Sequence, residues 1–336
     1  MDAGEAAKNA LECVLEARKG ETFVIFYDAE KTSVCEAFAT GASKLGLKTQ
    51  SIRLETSPNT FRKELPEAIV QSFKNYEPDI YVNLLRGIRE ETPFRIQLTR
   101  METRSANARL AHCPGITLDM LTDGALAMKK EDHRSMQGFA RKLIQSLSRA
   151  ARVEVANPAG TKISLNVEGR PFFTDTIISW ETKKWMNMPT GEVIVAPVES
   201  SLEGRLVCDM AIGGIRPLKS PVEIVAEKGI VQTISSDDTS VIKGVEDSLG
   251  TDGGAKVMGE FAFGINPKAR FCDEFLESEK MLGTVHLAFG NNSDMPGGMN
   301  HSNNHTDFLM SKPTVEIVNN DDTRLNVLTN GVFRRL

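Results

Sequence analysis

The chain has 336 residues, 40% of them apolar and 25% charged, with a formal net charge of −5. That is the composition of an ordinary globular protein. A mildly acidic chain without a basic stripe speaks against nucleic acid or an anionic membrane as partner, and the length exceeds one ordinary core, so two domains are expected.

Five cysteines at 13, 35, 113, 208 and 272 show no C-x-x-C spacing and are odd in number. They read as thiols used as small apolar residues in a reducing, cytoplasmic setting. The opening Met1-Asp-Ala-Gly-Glu-Ala6 has neither the basic nor the apolar segment of a signal peptide. No run approaches the ~18 apolar residues of a membrane span. The lysine pairs at 129–130 and 183–184 read as solvated faces.

Residues 4–18 space Ala7, Ala10, Leu11, Val14 and Leu15 along one helical face. Residues 21–28 form a short apolar run, as in a strand buried on both faces. A helix over about 31–44 and a strand over 49–54 follow. Next come a helix over 61–73, a strand over 78–85 and a helix over 93–108. A weaker strand over 112–118 and an amphipathic helix over 132–149 complete the half. Four alternations of strand and helix imply βαβ units around a parallel sheet. The loop after the first strand, Asp28-Ala-Glu-Lys31, has no G-x-G-x-x-G and no P-loop, so the phosphate cradle of a dinucleotide domain is missing.

Beyond about residue 150 the texture turns to strands. Runs at 152–157 and 160–167 pair around Asn157-Pro-Ala-Gly160, and runs at 192–198 and 204–211 read as another pair. A hairpin spans 222–234 about Lys228-Gly229. A helix over 239–249, a buried strand over 257–264, a short acidic helix or loop over 273–281, and strands at 283–290, 303–310, 315–318 and 325–328 follow. The expected fold class is α/β. An N-terminal three-layer parallel-sheet domain (1–150), Rossmann-like without a phosphate loop, precedes a strand-rich α+β metal-binding domain (151–336).

The residues able to carry chemistry lie in the second half. His305 and Asp307 are two apart, so on a strand they share a face. His286 stands between Val285 and Leu287 in another apolar run. Nitrogen and oxygen donors gathered this way suit a divalent metal. Glu260, inside Val257-Met-Gly-Glu-Phe-Ala-Phe263, is costly to bury unless paired or bound to an ion. Glu192 opens an apolar strand just after Pro189-Thr-Gly191. Three carboxylates at 192, 260 and 307 balance two divalent ions and one bridging hydroxide, which favours a two-metal site. His301, in a Gly- and Asn-rich loop, is read as substrate-facing. His112 and His133 are read as structural or surface residues. Tyrosines occur only at 27, 76 and 81, so the second half offers no phenol.

Four phrases, Met188-Pro-Thr-Gly-Glu-Val193, Gly259-Glu-Phe-Ala-Phe-Gly264, Val285-His-Leu-Ala-Phe-Gly290 and His305-Thr-Asp-Phe308, stand in an order that resembles the thermophilic metallo-aminopeptidases of the aminopeptidase T/S group. The resemblance implies that Glu192, Glu260, His286, His305 and Asp307 bind two metals (zinc, cobalt or manganese). It also implies one more glutamate before the first histidine, for which Glu279 and Glu277 are the candidates. The chain is similar as well to 2,5-dihydroxypyridine dioxygenase, in which a histidine replaces the glutamate of the Gly-Glu phrase and the carboxylate after Pro-Thr-Gly is missing. Gly264-Ile-Asn-Pro-Lys-Ala-Arg270 echoes that branch, and Lys268 or Arg270 is a candidate for a substrate carboxylate.

The expected function is therefore a metal-dependent, aminopeptidase-like hydrolase acting on small peptides, with Glu192 or Glu260 doubling as ligand and proton acceptor. The alternatives are a mononuclear Fe(II) ring-cleaving dioxygenase built on His286, His305 and Asp307, or a non-catalytic metal-binding relative. The expected partners are small peptides or other small molecules and a second copy of the chain, since strand-rich halves have edges to cover.

Overall fold

A computed structural model describes residues 1–73, 77–181, 184–215 and 217–335; Tyr76 and Lys183 lie outside the described residues. The chain divides into two compact units, each discontinuous. The first comprises Met1–Gln137, Asp175–Thr190 and Lys268–Arg270, and the second Gly138–Thr174, Gly191–Pro267 and Phe271–Leu336. A single cut at 150/151 does not describe this packing, because the chain returns to the first unit. The short strand Trp185–Asn187 shows why: it pairs in parallel with Arg109–Pro114. Three residues are too few to display a period, so nothing in the sequence marks this strand.

The first unit holds a five-stranded sheet in the order Lys48–Leu54, Thr22–Asp28, Ile80–Leu85, Arg109–Pro114, Trp185–Asn187, and every pairing is parallel. Side chains alternate across it. Phe23 and Ile25 enter a core with Ala7, Leu11 and Phe38 from the helices Ala3–Cys13 and Thr32–Leu45. Val24 and Phe26 enter a second core with Phe94 and Leu98 of the helix Thr92–Glu102. Both faces are thus buried, which is why the strand sequences read as continuous apolar runs.

Three elements differ from expectation, one of them the helix expected over 93–108, which is Thr92–Glu102. The strand expected over 112–118 is Arg109–Pro114. Arg109, a charged residue that reads as loop, is buried there and paired with Glu21 at 2.7 Å. The helix expected over 61–73 is only Glu67–Ser72. Pro66 disfavours helix before it, and Arg62 is engaged elsewhere.

That engagement is a buried ion cluster. Arg62 contacts Asp28 at 2.6 Å and Glu91 at 2.5 Å, Arg86 contacts Glu91 at 2.5 Å, and the Arg86 amide donates to Asp28 at 2.7 Å. Burial acts to raise the Glu91 carboxyl, but Arg86 and Arg62 outweigh it and hold it down to about 2. The unfolded chain then binds protons more readily than the folded one. This stability is therefore complete above the unfolded value of about 4.3 and is lost as pH falls toward the folded one.

The second unit contains two antiparallel sheets. One has eight strands, in the order Ile230–Ser235, Val222–Glu227, Glu203–Cys208, Lys162–Asn166, Ala150–Ala156, Thr314–Asn319, Arg324–Thr329, Val332–Phe333. The other has six: Ala211–Ile212, His305–Met310, Val285–Gly290, Met258–Gly264, Glu192–Val195, Phe173–Thr174. The hairpin at Lys228-Gly229 forms as expected, both turn residues having positive φ (49° and 75°). The runs near 192 and 204 do not pair with each other. Glu192–Val195 joins Met258–Gly264, while Glu203–Cys208 joins Val222–Glu227. Among the described residues no helix is long and apolar enough to cross a membrane, and all five cysteines are free thiols.

Replacing Glu91 with alanine leaves the buried Arg86 guanidinium without its carboxylate and Arg62 with Asp28 alone. Urea denaturation at neutral pH is expected to show a loss of about 3–5 kcal/mol. Glu91→Gln is expected to flatten the fall of the denaturation midpoint between about pH 5 and pH 2.

Candidate metal centre

The six-stranded sheet brings together residues that lie far apart in the chain. Glu260 is directly opposite Ala288, and Ala288 is directly opposite Asp307 on the next strand. The three Cβ atoms therefore form one row on one face. The methyl of Ala288 leaves open the space between the two carboxylates. His286, two residues before Ala288, and His305, two before Asp307, share that face. Glu192 is opposite Gly264, whose own position is two rows beyond Ala262 and thus on the same side.

Gly264 admits the remaining members. A Cβ there would lie 2.1 Å from the Met281 carbonyl oxygen and 2.9 Å from that of Glu279. Only glycine lets the 279–281 segment cross the sheet this closely. The crossing carries Glu279 and Lys280 to the cluster.

The distances are short throughout. His286 Nε2 lies 3.3 Å from Glu260 Oε1, 3.4 Å from Glu192 Oε1 and 3.9 Å from Asp307 Oδ1. His305 Nε2 lies 3.2 Å from Glu260 Oε2 and 3.2 Å from Asp307 Oδ1. Lys280 Nζ donates to Glu192 Oε2 and stands 2.8 Å from Glu279 Oε1. Two sets of donors have their ligand atoms within 4.8 Å of one another: Glu192, Glu279 and His286, and Glu260, His286 and Asp307. Most of these side chains are buried. Those of His305 and Asp307 are 32% and 15% exposed, which leaves one side open to solvent.

The electrostatics follow from crowded carboxylates. Burial acts to raise Glu260, yet His286 and His305 overcome it and hold the carboxyl below the usual range. Burial acts to lower both imidazoles, but Glu260 and Asp307 raise them above the ordinary histidine value. Glu279 is pushed up to about 8, first by burial and then by Glu192 and Asp307 against the pull of Lys280. His305 Nδ1 lies 2.8 Å from the Asn291 carbonyl oxygen. Donating there, it fixes the tautomer that turns the Nε2 lone pair toward the carboxylates. Mixed nitrogen and oxygen donors converging on one point fit a divalent ion of the zinc, manganese, cobalt or iron(II) kind.

Of the residues singled out in the sequence, Glu192, Glu260, His286, His305 and Asp307 converge, and Glu279 joins them. Glu277 is in neither donor set, and its Oε2 faces Cys272 Sγ at 3.5 Å. His301 is exposed in its loop and is also in neither set. Lys268 is exposed. Arg270 pairs with Asp119 at 2.7 Å and Asp123 at 3.4 Å within the first unit. His112 is a core residue, its Nδ1 2.6 Å from Asn83 Oδ1, and burial lowers it to about 3. His133 is likewise buried and lowered to about 4. The sequence reading missed Lys280. A lysine followed by Met-Leu-Gly reads as surface unless its acidic partners are known to be buried.

A family model described as 2,5-dihydroxypyridine 5,6-dioxygenase (NicX) matches residues 122–333, more than half of the chain. The chain belongs to this family. Two solved structures share the family's fold over nearly their whole lengths. One is 2,5-dihydroxypyridine dioxygenase from Pseudomonas putida KT2440, with TM-score 0.72 and 15% identity over 99% of this chain and 97% of that one. The other is wild-type AmpT from Thermus thermophilus, with TM-score 0.70 and 17% identity over 99% of both chains. Both families named by the resemblance are therefore recovered as relatives in fold. No curated protein matches the chain.

The row geometry yields a test that removes no donor. Ala288→Leu fills the space between Glu260 and Asp307, at an overpacking cost of about 1–3 kcal/mol. With free metal at a hundredfold excess over its Kd, the wild type should gain about 2.7 kcal/mol in denaturation experiments. The variant should fold and show little of that gain.

Proposed function

We propose that the chain is a metal-dependent hydrolase of aminopeptidase type, acting on small peptides at a divalent ion held by Glu260, His286, His305 and Asp307. The observation that supports this is the placement of Glu260, with one oxygen toward each imidazole. A non-haem iron oxygenase uses two histidines and one carboxylate and keeps the remaining positions open. A second carboxylate in the set closes one of them and suits hydrolytic chemistry.

When bound, such an ion lowers the pKa of a coordinated water to near ~7 and polarises a carbonyl. The chain's own residues supply the rest. Lys280 bonds to one oxygen of Glu192 and leaves the other toward His286, so Glu192 serves as acceptor for the proton of the attacking water. Asn291 holds the His305 ring in orientation. The exposed edge at His305 and Asp307 admits substrate, while the buried end at Glu192 and Glu279 excludes bulk water.

The family match favours a second reading, in which His286, His305 and Asp307 hold Fe(II) for ring cleavage. The two readings part in one pair of assays on the full chain. With zinc, cobalt or manganese, release of amino acid from aminoacyl-anilides is expected, and Asp307→Asn should lower it by at least about a hundredfold, the upper end of what removing only a ligand's hydrogen-bond partner costs. Oxygen uptake with Fe(II) and 2,5-dihydroxypyridine, without anilide cleavage, would support the second reading instead. Activity in neither assay would leave a non-catalytic metal-binding protein.

A further inference from the structure

We propose that the ammonium of Lys280 takes the cation position between Glu192 and Glu279, so that the centre holds one divalent ion rather than two. The proposal rests on the reading of this cluster as a metal centre. It concerns the number of ions and the part played by this lysine.

Lys280 is 1% exposed. A lysine is buried to that degree only when its charge is matched. Its Nζ meets Glu192 and Glu279, and these are two of the three residues in one of the two donor sets. Its ammonium thus supplies the positive charge that a metal would bring to the same carboxylates. A divalent ion placed there as well would set two cations against the same oxygens. In the other set the situation is different. Among the described residues, Glu260 and Asp307 are ion-paired with the imidazoles alone and meet no ammonium or guanidinium group.

The lysine is held in place by its backbone. The Lys280 amide donates to the Glu277 carbonyl at 3.1 Å, and its own carbonyl accepts from the Asn266 amide at 2.8 Å. Asn266 in turn packs against the glycine that precedes Glu192: a Cβ on Gly191 would lie 2.4 Å from that of Asn266. The segment bearing Glu279 and Lys280 is therefore fastened beside Glu192 and does not swing out to make room for a second ion. His286 is common to both donor sets, so filling one position with an ammonium leaves its Nε2 available to the other.

The folded chain gathers four carboxylates, at 192, 260, 279 and 307, and places the ammonium of Lys280 between two of them. The second ion is replaced by a side chain that cannot be chelated away.

The test is metal stoichiometry on the full chain. The protein is stripped with chelator, saturated separately with Zn2+, Mn2+ and Co2+, desalted and analysed for metal and protein content. One ion per chain is expected for the wild type and for Lys280→Arg, which keeps the charge. Two are expected for Lys280→Met, which frees the Glu192 and Glu279 oxygens. Two ions in the wild type, or one in a folded Lys280→Met, would overturn the proposal. No ion in the wild type would refute the metal centre itself, a separate result. Should Lys280→Met not fold, electron paramagnetic resonance of the Mn2+-loaded wild type decides: an isolated-ion spectrum supports the proposal, and an exchange-coupled pair overturns it.

Discussion

Four carboxylates crowded onto one face of a buried sheet are the constraint on which the second unit depends. Two unit charges of the same sign at ~4 Å repel by about 4 kcal/mol even at an effective dielectric of 20. Such a cluster persists only if positive charge is brought into it. The backbone is arranged to do this. Gly264 lets the 279–281 segment cross the sheet so that Lys280 reaches Glu192. Ala288 keeps the space open between Glu260 and Asp307. His286 and His305 stand against that space as groups that can hold either a proton or a metal.

The first unit solves a similar problem by different means, and the contrast is informative. Asp28 and Glu91 are buried, and both are matched by guanidinium groups from Arg62 and Arg86. Arginine does not give up its proton in proteins, so that cluster is permanently neutralised. The cluster on the six-stranded sheet is matched largely by imidazoles, and part of it reaches solvent at His305 and Asp307. Its counter-charge is exchangeable. Exchangeable counter-charge at an accessible edge separates a site able to bind and react from a structural ion network.

Much of the site was legible because strand alternation is local. The two-residue spacing of His305 and Asp307 puts both on one face whatever the rest of the chain does, and a glutamate inside Met258–Gly264 signals a partner. The βαβ alternation of the first half was readable for the same reason. What could not be read was non-local. Glu192–Val195 pairs with a strand some seventy residues on rather than with its neighbour, as the register of Glu192 opposite Gly264 records. Trp185–Asn187 is too short to show a period. Lys280 looks like any surface lysine until the fold places it under 2% exposure beside two acids. The sequence count of charges therefore omitted both Glu279 and the cation that answers it.

The likeness in fold to both the dioxygenase and AmpT is nearly equal, so the donor set must carry the distinction. X-ray absorption at the metal edge of the loaded protein examines that set directly. A first shell of nitrogen and oxygen alone, with outer-shell scattering from two imidazoles, is the expected result. A sulfur scatterer near ~2.3 Å, or a shell without imidazole, would contradict the account.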